Sequence, residues 1–203
     1  MLQGKNTTRK FYNYFRDKIA QPPKSHDKFS TFDYAANTDF KPYWNLIYKT
    51  TIEEKLRSFQ FKVLHRILAT NVFLKNIRIK TDPSCQHCGT EETLEHLFWE
   101  CKESKAFWSD FQRFVKGKHF ELPNLSCKDV ILGILPKEHN TILNHLVLLA
   151  KYHIYSIRYS NLKPSMHMFQ ENIKRTMQSE RISAENNNLL QFFEMKWEKL
   201  LTI

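Results

Sequence analysis

Glycine is scarce, with four in 203 residues. That disfavours a turn-rich β architecture and leaves no glycine-rich loop to cradle phosphates. The chain also lacks a P-loop, a G-x-S-x-G, an H-E-x-x-H, and any Asp-Asp pair in a strand-turn setting that could hold two metals. His26 and Asp27 fall in a linker without a nearby nucleophile. Nothing therefore supports independent catalysis, and no catalytic residue is expected. Long apolar runs are missing too. The longest, Ile142-Leu143 and then Leu146 to Ala150, is broken by Asn144 and His145 and closed by Lys151, which suits a buried helix and not a bilayer span. The opening MLQGKNTTRK has no apolar signal segment, so the expectation is an intracellular chain, nuclear or cytoplasmic, not secreted and without a membrane partner.

What is present is aromatic and basic. Hydrophobic residues make up 41% and aromatics 14%, which favours a folded chain over a disordered one. The net charge is +10, unevenly spread: residues 1–80 carry +10, residues 81–110 carry −5 and residues 111–203 carry +5. A basic chain suits a polyanionic partner such as RNA or DNA, but its acidic middle has the wrong sign to grip phosphate.

The periodicity predicts helices almost throughout. Thr8 could cap a first helix, FYNYFRDKIA, that Pro22-Pro23 ends, and residues 22–40 read as a linker or an extended wrap. A short helix follows at 41–49. Thr51-Ile-Glu-Glu54 resembles a capping box opening a helix over 52–69, with stripes at Ile52, Leu56, Phe59, Val63 and Ile67 and at Phe61, Leu64 and Leu68. Thr90 to Thr93 can start a helix carrying His96, and Phe107, Trp108, Phe111, Phe114 and Val115 form the next. A short helix or turn is expected at 128–135 and a long helix at 139–160, with His145 and His153 at its surface or core edge. Another runs from Pro164 to about Glu180, and Ser183 caps a last one facing Leu189, Leu190, Phe193 and Trp197 inward. The expected class is all-α, without repeats.

Four residues carry chemistry: Cys85, Cys88, His96 and Cys101, spaced C-x2-C-x7-H-x4-C. Two thiols two residues apart can hold one ion from a tight turn, for which Gly89 supplies backbone freedom. A histidine and a third cysteine complete the four ligands of a closed tetrahedral Zn²⁺ site, a zinc knuckle with a stretched middle loop. His96 and Cys101 lie about 140° apart on an ideal helix, so a break or distortion is expected near Glu100. A redox C-x2-C lacks the surrounding βαβ pattern, and disulfides require an oxidising compartment. His87 is a competing ligand inside the pair, and Cys127 reads as a small core residue.

Lys55, Lys62 and Arg66 fall within about 40° of one another on the expected helix, an alignment that can track a phosphate backbone or serve as a solvated edge. Lys75, Arg78 and Lys80 continue the positive charge toward the metal turn.

The run LRSFQFKVLHRILATNVFLKNIRIK, then CQHC, then EETLEHLFWECKESKAFW, resembles the zinc-binding region near the C-terminus of LINE-type (non-LTR) retrotransposon reverse transcriptases. With the later ILNHLVLLAKYHIY, the resemblance covers about residues 40–160. It implies Cys85, Cys88, His96 and Cys101 as zinc ligands and a non-catalytic segment of a longer polyprotein, whose polymerase and endonuclease motifs are missing here. The partners it implies are RNA or DNA and the parent's reverse transcriptase domain. The expected organisation is an N-terminal helix and linker (1–40), a helical zinc-binding domain (41–160) with its metal module at 83–101, and C-terminal helices on the same core (161–203). The alternative is a structural packing or protein-interaction module in which zinc only stabilises the fold.

Overall fold

The computed structural model describes Tyr14 and residues 38–121, 124–135, 141–160 and 162–201. The chain divides into two compact units, Met1–Asn37 and Thr38–Ile203. The elements and side chains described below belong to the second. The first expected helix, Tyr14 apart, and the linker up to residue 37 lie outside the described residues.

In chain order the elements are α1 (Lys41–Thr50), α2 (Glu54–Leu64), α3 (Asn71–Asn76), a π-helical turn (His96–Glu100), α4 (Lys102–Gly117), α5 (Cys127–Leu132), α6 (Thr141–Ile157), α7 (Met166–Asn186), α8 (Leu190–Trp197) and a 3₁₀ turn (Glu198–Leu200). No strand forms among the described residues, and the one extended pairing there is an isolated bridge between Ser84 and Glu91. The all-α class with a metal turn between helices is as the sequence leads one to expect.

The most apolar helix becomes the axis of the domain. α6 packs against α1, α2, α5, α7, α8 and the π-turn. Contact on so many sides buries polar positions along with the apolar ones. His145 and His153 are 0% and 1% exposed, a correction to their expected place at the surface or core edge. Burial lowers the pKa of both, which keeps the rings neutral. A second core layer is aromatic: Phe107 and Trp108 of α4 meet edge-on at 5.8 Å, and Phe107 meets Phe169 of α7 at 5.5 Å. Such pairs add about 0.5–1.5 kcal/mol to what area burial alone contributes.

Three helix ends differ from the sequence pattern for local reasons. The Thr51 hydroxyl accepts from the Glu53 N–H at 3.1 Å instead of capping a helix that starts at residue 52, so α2 begins at Glu54. It ends at Leu64, because Arg66 adopts a left-handed conformation (φ 54°). Leu56, Phe59, Val63, Leu64 and Leu68 are buried as the stripes require, whereas Ile52, Phe61 and Ile67 are exposed. α7, capped by the Ser165 hydroxyl, runs past Glu180 and Ser183 to Asn186. The chain then reverses at Asn188 (φ 56°), a residue type that tolerates this region. Phe193 and Trp197 go inward as expected and Leu200 joins them, but Leu189 and Leu190 stay exposed.

Lys151 is the least expected core residue. Its Nζ donates to Gln60 Oε1 at 2.5 Å and to the Ile131 carbonyl at 3.3 Å. Burial lowers its pKa to about 7. An unfolded lysine holds its proton to about pH 10.4, so between about pH 7 and pH 10 the unfolded chain binds more protons and stability rises with pH. Lys151→Met removes that component. Chemical denaturation across this range is expected to show a shallower pH slope for the variant, by up to about 1.4 kcal/mol per pH unit. Parallel slopes refute a buried neutral lysine.

Candidate metal centre

The first half of the site is a hairpin turn. Ser84 pairs with Glu91, the Cys85 N–H donates to the Thr90 carbonyl at 2.7 Å, and the Gly89 N–H returns to the Cys85 carbonyl at 2.9 Å. Gly89 sits at φ 74° with open space where a Cβ would go, so glycine serves here for conformation and not for clearance. The turn points Cys85 inward and leaves Cys88 exposed.

The second half solves the five-residue spacing. The Thr93 hydroxyl accepts from the His96 N–H at 3.0 Å and starts a helical turn. That turn then widens, with the Cys101 N–H donating to the His96 carbonyl at 2.9 Å. An i→i+5 bond closes a π-turn, a distortion that occurs often at functional sites, and brings residues 96 and 101 to one side. Cys101 leaves the helix with ψ 136°, and α4 starts again at Lys102. Carbonyls beside the break find side-chain donors: the Ser104 hydroxyl donates to the Leu97 carbonyl and the Trp108 indole N–H to the Phe98 carbonyl, both at 2.6 Å. The break anticipated near Glu100 is present.

The four ligand atoms lie within 4.8 Å of one another. Cys85 Sγ and Cys101 Sγ are 3.9 Å apart, and Cys88 Sγ and His96 Nε2 are 3.2 Å apart. With Zn–S bonds of about 2.3 Å and Zn–N of about 2.0 Å, tetrahedral edges are about 3.8 Å between sulfurs and about 3.5 Å between sulfur and nitrogen. The residues therefore fit a tetrahedral metal ion. His87 is not part of the group, and Cys127 is half-buried outside it. Burial pushes the Cys85 thiol up to about 12, while at Cys88 burial is outweighed by hydrogen bonds from Thr90, leaving its pKa below the usual value. Burial also lowers the His96 pKa, which favours the neutral ring a metal needs. A buried thiol that resists ionising on its own is a donor that a divalent cation converts to thiolate.

Cations from outside hold the module in place. Arg66 forms a two-pronged ion pair with Glu95, at 2.5 and 2.7 Å, next to His96. The Glu92 carboxylate accepts from the Asn71 N–H at 3.0 Å and lies 3.7 Å from Arg158. Asn71 in turn donates to the Ser84 carbonyl and accepts from the Tyr159 hydroxyl, and Arg158 also donates to the Ala69 carbonyl. The end of α6, the start of α3 and the hairpin thus form one polar network. Pattern reading found none of Arg66, Glu92, Glu95 or Arg158 in these roles. The available hint was two glutamates, one on each side of Thr93-Leu94, in a stretch that needs an inward face.

The basic residues divide between two fates. Lys55 and Lys62 are exposed on α2, with the Lys55 ammonium 4.6 Å from the Tyr152 ring centroid. Lys75 and Arg78 are exposed at the end of α3, and Lys80 is half-buried with its ammonium 5.5 Å from the Tyr159 ring centroid. Arg66 departs from this row, since α2 ends before it and its guanidinium is taken by Glu95.

A compact Cys₃His cluster on a hairpin and a π-turn defines a metal-binding helical domain. Residues 7–108, just over half the chain, match the family described as zinc-binding in reverse transcriptase, and the chain belongs to that family. The match begins earlier and ends earlier than the stretch from 40 to 160 that carried the resemblance. It includes all four ligands. The family's domain is a zinc-binding one and not a catalytic one.

Proposed function

We propose that this domain is the non-catalytic zinc module of a LINE-type (non-LTR) retrotransposon reverse transcriptase and that it contacts template RNA or target DNA through a basic helical face. Zn²⁺ suits the donor set: three thiolates and an imidazole at tetrahedral spacing fill its first shell, so the ion supplies a cross-link and no open coordination position. Polymerase and nuclease chemistry then belong to the rest of the parent polyprotein, whose reverse transcriptase domain is the expected protein partner. An intracellular location follows from that role. No helix among the described residues is long and apolar enough to cross a membrane.

One observation carries the nucleic-acid reading. Lys55, Lys62, Lys75 and Arg78 are exposed while Glu92 and Glu95 of the acidic module are buried against arginines, so those carboxylates do not face an approaching phosphate. Charge reversal at four exposed positions, Lys55→Glu, Lys62→Glu, Lys75→Glu and Arg78→Glu together, is expected to weaken binding to single-stranded RNA and duplex DNA at least tenfold. It should also flatten the dependence of affinity on salt by about one unit of log–log slope for each phosphate left without its cation. Fluorescence anisotropy at two salt concentrations checks this, with helicity measured by circular dichroism alongside. Undiminished affinity in a folded variant removes these residues from the interface.

A second reading has its own observation. Phe192 and Met195 of α8 are 68% and 70% exposed, and Ile182 of α7 is 54% exposed. Apolar side chains of that size on a surface suit a module that packs on another protein surface while zinc only stabilises the fold. Salt-independent behaviour without oligonucleotide binding favours this reading.

A further inference from the structure

A row of rings on α1 and at the end of α2 is only partly spent on the core. Phe61 of α2 is 47% exposed, although Phe59, two residues before it, is buried among Phe98, Tyr152 and Tyr155. The Phe61 ring lies 4.0 Å from the ring of His65 at an angle of 44°, and His65 lies 4.8 Å from Trp44 of α1 at 42°. His65 and Trp44 are half-buried. The three rings therefore form a row across α1 and α2. Neither neighbouring pair is parallel, which leaves ring surface that the row itself does not cover.

The placement of charge around this row is specific. With the α2 wheel carried one residue on to its C-cap, Phe61 and His65 lie on one side of the exposed wedge and Lys55 and Lys62 on the other, with Ser58 between them and exposed Glu54 on the ring side two turns before Phe61. On α1, exposed Lys41 stands one turn before Trp44. Exposed ammonium groups flanking a row of rings suit an extended single strand, whose phosphates run along one edge and whose unpaired bases project from the other. A duplex offers phosphates but keeps its base faces stacked inside. Every base has a π-face, so such a row binds without choosing sequence.

Building on the nucleic-acid reading above, we infer that Phe61, His65 and Trp44 form a base-stacking platform for single-stranded nucleic acid, with Lys55, Lys62 and Lys41 holding its backbone. The platform gives the domain a preference for strands over duplexes that a basic face alone lacks. Stacking of one base on an aromatic side chain corresponds to about 5- to 140-fold in affinity.

The test titrates the metal-loaded chain with a fluorescein-labelled single-stranded 12-mer RNA, the same length of duplex, and a 12-mer DNA strand made largely of abasic sites. Phe61 is exposed, so Phe61→Leu should preserve folding and apolar contact while removing the ring, and Phe61→Trp restores a ring. The expected result is single-strand binding at least fivefold tighter than duplex and than the abasic strand. Phe61→Leu should lose that margin without changing the salt slope, and Phe61→Trp should recover it. If Phe61→Leu binds all three probes as the parent chain does, the platform is overturned and the basic face stands. Absence of salt-sensitive binding to any probe overturns the platform and the nucleic-acid reading together.

Discussion

Cys88→Ser is expected to abolish stoichiometric metal retention and to lower the thermal midpoint by at least ~10 °C. Cys88 is the most informative ligand to change because it is the exposed one. An exposed Cys→Ser exchange with no metal role falls within about 0.5 kcal/mol of neutral. A ligand loss is different, since the binding energy of a structural ion is folding energy, with apparent values of about 10–16 kcal/mol in zinc-finger peptides, and a domain of this size holds only about 5–15 kcal/mol in total. Cys127→Ser is the matched control, a half-buried thiol outside the cluster. Metal content by mass spectrometry under native conditions and a melting curve decide the matter. Equal melting of the two variants refutes the structural-metal assignment, and removal of metal by a chelator should reproduce the Cys88→Ser curve.

Arg66→Met is expected to cost about 3–5 kcal/mol, more than any single change among the exposed lysines. Its side chain is 13% exposed and that of its partner Glu95 is 6% exposed, so removing the cation takes the two-pronged partner from a buried carboxylate beside a metal ligand. The informative comparison is the double variant Arg66→Met with Glu95→Gln, which removes both charges and should recover much of the loss. Denaturant melts of the four proteins in this cycle measure the coupling. A coupling near zero refutes the clamp. Arg66 is held in a left-handed conformation, which costs a non-glycine residue of order 1–3 kcal/mol and persists where surrounding contacts over-determine it.

The metal site was legible in the sequence because its logic is local. All four ligands fall within residues 85 to 101, Gly89 marks the turn, and the five-residue step from His96 to Cys101 demands a departure from α-helix that takes the form of a π-turn. What surrounds the site was not legible, because its reasons are distant in sequence. Lys151 reads as the charge that closes an apolar run, yet it meets Gln60 91 residues away. His145 and His153 read as edge residues because pattern analysis gives a helix one polar side, and α6 has neighbours on nearly every side. Arg66 aligns with Lys55 and Lys62 only if α2 continues, and the backbone turns left-handed at that residue. Ser183 has the chemistry of a cap, but favourable residues on either side carry α7 through it, and the reversal waits for Asn188.

The separations within the metal centre also imply an order of events. Cys85 and Cys101 are 16 residues apart, the Arg66–Glu95 clamp spans 29, and the bond from Arg158 to Ala69 spans 89. Closing short loops is faster and entropically easier than closing long ones. During synthesis at about 5–20 residues per second, Arg158 emerges several seconds after the last ligand. The nascent hairpin and π-turn can therefore capture their ion with Arg66 already available, and the end of α6 arrives later to lock a module that is already metallated.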